Sequence, residues 1–167
     1  MRILAQDLLL PFRFNRTVGN MKIATMPFAE PALILLVEDN PDDEKLTLRA
    51  MRQCEVPNLI IVARDGEEAL LHLQDGMKRL PSLILLDLKL PKVGGIEVLR
   101  RLRSSQRTRH LPVVVLTSSD EERDILQCYD NGANSYIRKP VDFDQFIDAV
   151  KQLGLYWLVF NRTPSRE

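Results

Sequence analysis

Five short apolar runs recur along this chain, and they constrain its fold more than any other feature. Each run is continuous rather than alternating, which is typical of a strand buried on both faces of a parallel sheet. Parallel neighbours need a long connection, and an amphipathic helix is the usual one. The predicted strands are "ALILLV" (32–37), "NLIIVA" (58–63), "SLILLD" (82–87), "LPVVVLT" (111–117) and "ANSYIRK" (133–139).

The segments that follow these runs carry apolar residues at helical spacing. In one of them, Ile96, Leu99 and Leu102 fall on one face and arginines on the other, which is the pattern of an amphipathic helix. The predicted helices lie within residues 42–56, 64–76, 95–105, 120–132 and 142–153. Strands that alternate with helices in this way predict an α/β fold, a doubly wound five-stranded parallel sheet with five helices on its two faces.

The alternating pattern covers residues 31–153, which we predict to be a single domain. Residues 1–30 show no sustained period and lack the cleavage site of a signal peptide, so we expect a poorly ordered N-terminal extension. Residues 154–167 form a C-terminal tail, which is a candidate dimerisation segment.

The argument for dimerisation is a spacing of apolar residues across the last helix and the tail. Phe146, Val150, Leu153, Trp157 and Phe160 follow one another by alternate steps of four and three, as in the seam of paired helices. Two heptads are too few for an independent coiled coil. Two interpretations stay open: the tail folds back on its own domain, or it forms a homodimer, because such an apolar cluster is unusual in water.

Composition argues against several classes of function. The formal net charge is +0, so we predict no nucleic-acid partner, and we interpret the arginine-rich stretch 100–109 as a solvated helix face. No apolar run is long enough to span a bilayer, so we predict no membrane partner. The two cysteines, Cys54 and Cys128, match neither a metal nor a redox spacing. These features predict a cytoplasmic protein with reduced thiols.

Polar residues follow four of the five predicted strands. Glu38 and Asp39 follow the first, Asp87 ends the third, Thr117 ends the fourth before Ser118, and Lys139 ends the fifth. In open α/β sheets, ligands bind beyond the carboxyl ends of the strands. Each residue alone could be a helix cap or a loop residue, but the whole set at one edge favours a site.

The residue types of this set suit phosphoryl transfer. Carboxylates that meet in one pocket repel one another unless a cation lies among them, and a site with oxygen ligands only favours Mg²⁺. The Thr117 hydroxyl and the Lys139 ammonium could each contact an oxygen of a phosphoryl group on Asp87. The chemistry is then in-line transfer to an aspartate.

The same residues carry a resemblance to a known family. The motifs "LLVEDNPDD", "LILLDLKLPKVGG", "VVVLTSS" and "GANSYIRKP" resemble the receiver domains of two-component response regulators, over residues 32–153. The resemblance implies a flavodoxin-like sheet with strand order 2-1-3-4-5. It also implies a sensor histidine kinase as the partner that supplies the phosphoryl group.

The resemblance assigns a role to each matching position. Asp87 would be the phosphoacceptor, with Mg²⁺ as the cofactor. The implied metal ligands are Glu38, Asp39, Asp87 and the backbone carbonyl of Lys89. The implied contacts of the phosphoryl group are Thr117, the backbone of Ser118, and Lys139, which precedes a cis proline, Pro140. Thr117 and Tyr136 would form the conformational switch, with Tyr136 moving inward after phosphorylation.

Softer motifs resemble a narrower group within receivers. "VARDGEEAL", "LKLPKVGGIEVLRRLR" and "LGLYWLVFN" look like the stand-alone regulators paired with bacterial phytochromes. A phytochrome kinase is then the candidate partner, and the downstream partner stays unnamed. Lys89 departs from common receiver patterns, because many receivers carry a smaller or neutral residue there.

Two rival functions remain at this stage. Aspartyl phosphatases of the haloacid-dehalogenase type use a similar set of residues, but they need a second aspartate two residues after the nucleophile as general acid. Lys89 occupies that position, so we predict a phosphoacceptor with slow self-dephosphorylation rather than an enzyme. The other rival is an interaction module that works without phosphorylation.

Overall fold

The computed structural model describes residues 2–4, 31–53, 56–139 and 142–161. Every strand and helix expected from the sequence is present within these ranges, and one further strand precedes them. The elements in chain order are β1 (Arg2–Leu4), β2 (Ala32–Val37), α1 (Pro41–Arg52), β3 (Asn58–Ala63), α2 (Gly66–Gln74), β4 (Leu83–Leu86), α3 (Gly95–Ser104), β5 (Val113–Thr117), α4 (Glu122–Asp130), β6 (Ser135–Arg138) and α5 (Phe143–Leu155), followed by a turn of π-helix (Tyr156–Phe160).

The sheet has six strands in the order β1-β3-β2-β4-β5-β6. The strands from β2 to β6 are parallel to one another. Counted from β2, their order is the expected 2-1-3-4-5, so the predicted flavodoxin-like fold is confirmed. None of the described helices combines the length and the hydrophobicity needed to cross a bilayer.

The additional strand lies in the segment that we expected to be poorly ordered. Arg2–Leu4 pairs antiparallel with β3, with Arg2 opposite Val62 and Leu4 opposite Ile60. The segment therefore contributes a strand to the edge of the sheet, and its poor order stays a prediction. The rest of the segment 1–30 lies outside the described residues.

The parallel strands separate two apolar clusters, one on each face of the sheet. Along β2, Leu33, Leu35 and Val37 join the cluster under α2 and α3, whereas Ile34 and Leu36 join the cluster under α1 and α5. Side chains alternate between faces along a strand. A strand covered on both faces therefore needs an uninterrupted apolar run, as the sequence has.

The dimer candidates divide between the core and the surface. Phe146 and Val150 lie on the inner face of α5, are 1% and 0% exposed, and belong to the cluster that α1 also covers. These two cannot contribute to a surface for a second copy, because their side chains are already buried within the chain. Leu153 and Trp157 pack partly against the same cluster, and Phe160 is 56% exposed.

Most arginines of the stretch 100–109 are exposed, as expected of a solvated face, but Arg103 is only half exposed, and Arg103 and Arg107 also bind backbone carbonyls. Arg103 donates hydrogen bonds to the carbonyl of Gly132 through Nε and Nη2, at 2.9 and 2.6 Å, and to the carbonyl of Leu111 at 3.0 Å. Arg107 donates to the carbonyls of Leu73 and Lys78. Of these carbonyls, that of Leu73 lies in the last turn of α2, where it has no partner within the helix, and those of Lys78, Leu111 and Gly132 lie in connecting segments.

Gly132 fixes the end of α4 and the entry to β6. Its φ of +84° lies in the left-handed region, and a β-carbon there would also lie 2.7 Å from Nε of Arg103. Its N–H donates to the carbonyl of Tyr129, and the next N–H, of Ala133, donates to that of Cys128. This is a Schellman cap, which confirms the expected helix end at Gly132.

Candidate functional site

The polar residues predicted from the strand ends lie at one edge of the sheet, because backbone hydrogen bonds continue the ladder beyond the strands. The N–H of Glu38 donates to Ala63 at 3.0 Å, and the N–H of Asp87 donates to Val37 at 3.0 Å. The N–H of Lys139 donates to the carbonyl of Thr117 at 2.7 Å. The backbone of each of these three residues is therefore fixed by the neighbouring strand.

The ammonium of Lys139 is the centre of the site. Its Nζ lies 2.6 Å from Oε2 of Glu38, 2.8 Å from Oδ2 of Asp43 and 3.1 Å from Oδ2 of Asp87. The side chain of Lys139 is 8% exposed and that of Glu38 is 1% exposed. Three carboxylates thus share one ammonium, and of the three only Asp43, at 34%, is substantially exposed.

Burial and charge act in opposite directions on these groups. Burial raises the pKa of Glu38 to about 7, although the hydrogen bond from Lys139 lowers it. Burial alone would lower the pKa of Lys139, but hydrogen bonds to Asp43 and Glu38 outweigh burial and raise that pKa above its ordinary value. Lys139 therefore keeps its charge, and Glu38 depends on that charge to stay ionised.

Glu38, Asp39 and Asp87 form a cluster that could hold a cation. Each offers a carboxylate oxygen, and these oxygens lie within 4.8 Å of one another. Glu38 and Asp87 are buried, and Asp39 is exposed. Oxygen ligands without histidine or cysteine suit a hard divalent ion such as Mg²⁺. The residues present therefore fit the expected cofactor.

The carboxylate of Asp87 is held from two sides. Its Oδ1 accepts hydrogen bonds from the N–H of Leu88 at 2.6 Å and of Lys89 at 3.4 Å, and its Oδ2 contacts Lys139. Gly95, the first residue of α3, donates its N–H to the carbonyl of Leu88 at 3.0 Å. A β-carbon on Gly95 would lie 2.4 Å from the carbonyl oxygen of Asp87, so the helix can approach this closely only with glycine there.

Thr117 and Tyr136 are joined through one backbone unit, that of Ser119. Thr117 is 0% exposed, and its Oγ1 accepts a hydrogen bond from the N–H of Ser119 at 3.3 Å. The hydroxyl of Tyr136 donates to the carbonyl of Ser119 at 2.7 Å. The Ser119 hydroxyl donates to Asp124 of α4 at 2.6 Å. Tyr136 is half-buried and packs against the core cluster under α3, and its inward movement after phosphorylation stays a prediction.

The remaining predicted site residues lie at the margin of this group. The side chains of Lys89 and Ser118 are exposed, and their proposed contacts are through the backbone. Pro140, the expected cis proline, lies outside the described residues.

The sequence interpretation missed Asp43. Pro41 is the first residue of α1 and Asn40 is its cap, so Asp43 lies in the first turn, close to the end of β2. That much follows from the motif "EDNPDD", in which an asparagine and a proline indicate a helix start. The motif does not indicate which acid of the first turn faces Lys139.

Comparison with known proteins identifies relatives of this chain. A family model of the response regulator receiver domain matches residues 34–151. "Probable methanogenesis regulatory protein FilR2" of Methanothrix harundinacea is 43% identical over 139 residues, which are 81% of this chain and 90% of FilR2. Response regulator Rcp1 of Synechocystis sp. is 35% identical over 133 residues, which are 77% of this chain and 90% of Rcp1.

Solved structures of similar proteins share the fold. The phosphorylated cyanobacterial phytochrome response regulator RcpA is 38% identical and superimposes with a TM-score of 0.76, covering 81% of this chain and 100% of RcpA. The Mn²⁺-bound form of Rcp1 is 34% identical with a TM-score of 0.75, at the same coverage of 81% and 100%. The similarity thus extends over the full length of both solved chains.

Proposed function

This chain belongs to the response regulator receiver domain family, whose model covers residues 34–151, and we propose that it accepts a phosphoryl group from a sensor histidine kinase onto Asp87 with Mg²⁺. One observation carries the proposal. A single buried ammonium, that of Lys139, contacts both Glu38 and Asp87 at the edge of the sheet where Thr117 ends β5. The residues that we propose as acceptor, metal ligand and phosphoryl contacts therefore come from the same edge of the sheet.

We assign the metal to Glu38, Asp39 and Asp87, whose oxygens are within 4.8 Å of one another, together with the backbone carbonyl of Lys89. The Mn²⁺-bound form of the relative Rcp1 supports a divalent ion in this family. Mg²⁺, when bound, supplies positive charge next to the carboxylates and the phosphoryl oxygens.

Phosphoryl transfer requires little covalent chemistry from the protein beyond the attacking carboxylate. An oxygen of Asp87 attacks the phosphorus of the kinase phosphohistidine, the O–P bond forms as the N–P bond breaks, and the electron pair returns to the imidazole nitrogen. Lys139, the Thr117 hydroxyl and the backbone N–H of Ser118 would then contact the phosphoryl oxygens. Positioning and charge neutralisation account for such a reaction.

The test is intact-mass spectrometry after incubation with acetyl phosphate and Mg²⁺. We expect the wild-type chain to gain one phosphoryl group, and Asp87→Asn to gain none. Omission of Mg²⁺ should also remove the adduct. A wild-type chain that gains nothing and also fails to bind beryllium trifluoride would contradict the proposal and favour an interaction module that works without phosphorylation.

We propose that Thr117 and Tyr136 form the switch through Ser119. The Thr117 hydroxyl accepts a hydrogen bond from the N–H of Ser119, so a movement of this hydroxyl toward the phosphoryl group would also move Ser119. The position of the Ser119 carbonyl, to which Tyr136 donates its hydroxyl, would then change. The response is a shift between two states that contact phosphate differently. Thr117→Ala should abolish the phosphorylation-dependent change in Tyr136 fluorescence, and an unchanged response would exclude this route.

The relatives also suggest a partner and an assembly. Because RcpA is a phytochrome response regulator, we propose a phytochrome kinase as the phosphoryl donor. We also propose a homodimer through the exposed part of the tail, where Tyr156 and Phe160 are 54% and 56% exposed. Phe160→Ser should give a monomer by light scattering, and a persistent dimer would move the interface elsewhere. Location in the cytoplasm stays a prediction.

A phosphatase is the weaker proposal for this site. The position two residues after Asp87 carries the exposed Lys89 in place of the second aspartate that such phosphatases need as general acid. We therefore propose that hydrolysis of the phosphorylated state is slow and resets the signal.

A further inference from the structure

Asp43 holds Lys139 but is not part of the cation cluster. Its Oδ2 lies 2.8 Å from the ammonium nitrogen, nearer than Oδ2 of Asp87 at 3.1 Å. The acids whose oxygens converge for a cation are Glu38, Asp39 and Asp87. Among the described residues, Asp43 is thus a carboxylate that contacts the lysine without taking part in that group.

The contact is built into the start of α1. Oε1 of Glu38 accepts the N–H of Asn40 at 3.2 Å, and Oδ1 of Asn40 accepts the N–H of Asp43 at 3.4 Å. Asp43 then binds Lys139, which binds Glu38 at 2.6 Å. The ring of contacts is closed, so the carboxylate of Asp43 is oriented by the same residues that form the site.

A lysine ammonium has three N–H donors, and here each has a carboxylate partner. A phosphoryl oxygen on Asp87 needs one of them. A cation bound to Glu38 and Asp87 offsets the charge of both carboxylates, which weakens their attraction for the ammonium. Asp43 lies outside the cation cluster, so its contact is the one that opposes a move of Lys139 toward phosphate.

We propose that Asp43 is a positioning residue that competes with the phosphoryl group for Lys139 and thereby lowers the stability of the phosphorylated state. In the resting site, Asp43 keeps the ammonium between itself and Glu38. After phosphorylation, Lys139 divides its hydrogen bonds between Asp43 and phosphate. This inference rests on the proposed phosphoacceptor role of Asp87, and the experiment below separates the failure of one from the failure of the other.

The test compares Asp43→Asn with the wild-type chain in two titrations followed by ¹H–¹⁵N NMR. The first measures Mg²⁺ affinity, and the second measures affinity for beryllium trifluoride, a phosphoryl mimic, at saturating Mg²⁺. Asparagine keeps the size and the acceptor oxygen of Asp43 but removes its charge. We expect beryllium trifluoride to bind roughly tenfold more tightly to the variant, the order of one charge-assisted hydrogen bond. The Mg²⁺ dissociation constant should change less.

The matched control is Asp42→Asn, the same substitution one residue earlier. The Asp42 side chain is 86% exposed and contacts Lys45 at 3.1 Å, away from Lys139. We expect its beryllium trifluoride affinity to equal that of the wild-type chain. If Asp42→Asn tightened binding as much as Asp43→Asn, a general loss of negative charge would explain the effect and the inference would be overturned.

Two further outcomes would also overturn it. Unchanged or weaker beryllium trifluoride binding by Asp43→Asn, with normal binding by the wild-type chain, would show that Asp43 does not compete for Lys139, and would leave the phosphoacceptor role of Asp87 standing. No binding by the wild-type chain would remove the phosphoacceptor role and the inference together.

Discussion

Replacing Gly95 with alanine should perturb both the stability of the fold and the position of Asp87. The added β-carbon would lie 2.4 Å from the carbonyl oxygen of Asp87 and 2.7 Å from Cα of Leu88. Both atoms belong to the backbone, which cannot rotate away as a side chain can. Ordinary contact begins at 3.4 Å, so α3 and the end of β4 must separate by about 1 Å.

The magnitude follows from two opposing effects. Overpacking of a close contact costs about 1–3 kcal/mol, whereas alanine in place of glycine favours a helix by up to about 1 kcal/mol. Gly95 is the first residue of α3, so the gain in helix propensity is at the low end. We expect the free energy of unfolding to fall by about 2 kcal/mol.

The assay is urea denaturation followed by far-UV circular dichroism, with phosphorylation by acetyl phosphate measured on the same samples. The matched control is Gly94→Ala, because a β-carbon on Gly94 has the carbonyl oxygen of Leu88 as its nearest neighbour, at 3.9 Å. We expect the control to lose less than about 1 kcal/mol and to keep its phosphorylation. Equal stability of the two variants, or full phosphorylation of Gly95→Ala, would refute the argument.

Three further predictions concern residues away from the site. Arg103→Met should lower the free energy of unfolding by about 3 kcal/mol, because three partly buried hydrogen bonds are lost at about 1 kcal/mol each. The control is Arg101→Met, because Nε of Arg101 contacts only Glu97 among the contacts described. The control should lose under about 1 kcal/mol in the same urea titration. Cys128 is 0% exposed, and burial raises its pKa to about 11. In a Cys54→Ser background, a thiol reagent at pH 8 should therefore label the chain only after denaturation. Rapid labelling of the native chain would contradict the burial of Cys128. Burial lowers the pKa of His72 below its ordinary value of 6.5, so its contribution to stability is complete above about pH 6.5 and is lost as pH falls toward the folded-state value. In His72→Leu, the melting temperature should therefore change less between pH 7.5 and 5.5 than in the wild-type chain. An equal fall in both chains would assign the effect to other groups.

The sequence predicts the parallel sheet well because burial on both faces leaves a simple signature. A run such as 32–37 needs apolar residues at every position, and a polar residue can follow only where the strand leaves the core. The acids and the lysine after these runs therefore mark strand ends and site residues at once. The Arg2–Leu4 strand escapes this reasoning, since an edge strand of three residues has too few positions to show a period.

The spacing of α5 could not distinguish a core-facing helix from a pairing helix. Steps of four and three place residues on one face in either case. Phe146 and Val150 occupy that face and lie against the sheet, whereas the π-helical turn rotates Phe160 away from it, to 56% exposed. The contacts of Asp43 and Arg103 were also beyond the sequence, because a long-range contact depends on which way a side chain points from its helix.

The arrangement of parallel strands that builds the core also positions the site, and burial of the site carboxylates costs free energy. The ladder bonds that fix Glu38 and Asp87 at the strand ends also bring their carboxylates into a region that water scarcely reaches, where like charges repel and each ionised group loses hydration. One ammonium, that of Lys139, is shared among Glu38, Asp43 and Asp87, so negative charge remains in excess. That excess of negative charge favours a cation among the carboxylates. The contact of Lys139 with Asp43 then determines how readily the ammonium is given up to a phosphoryl group.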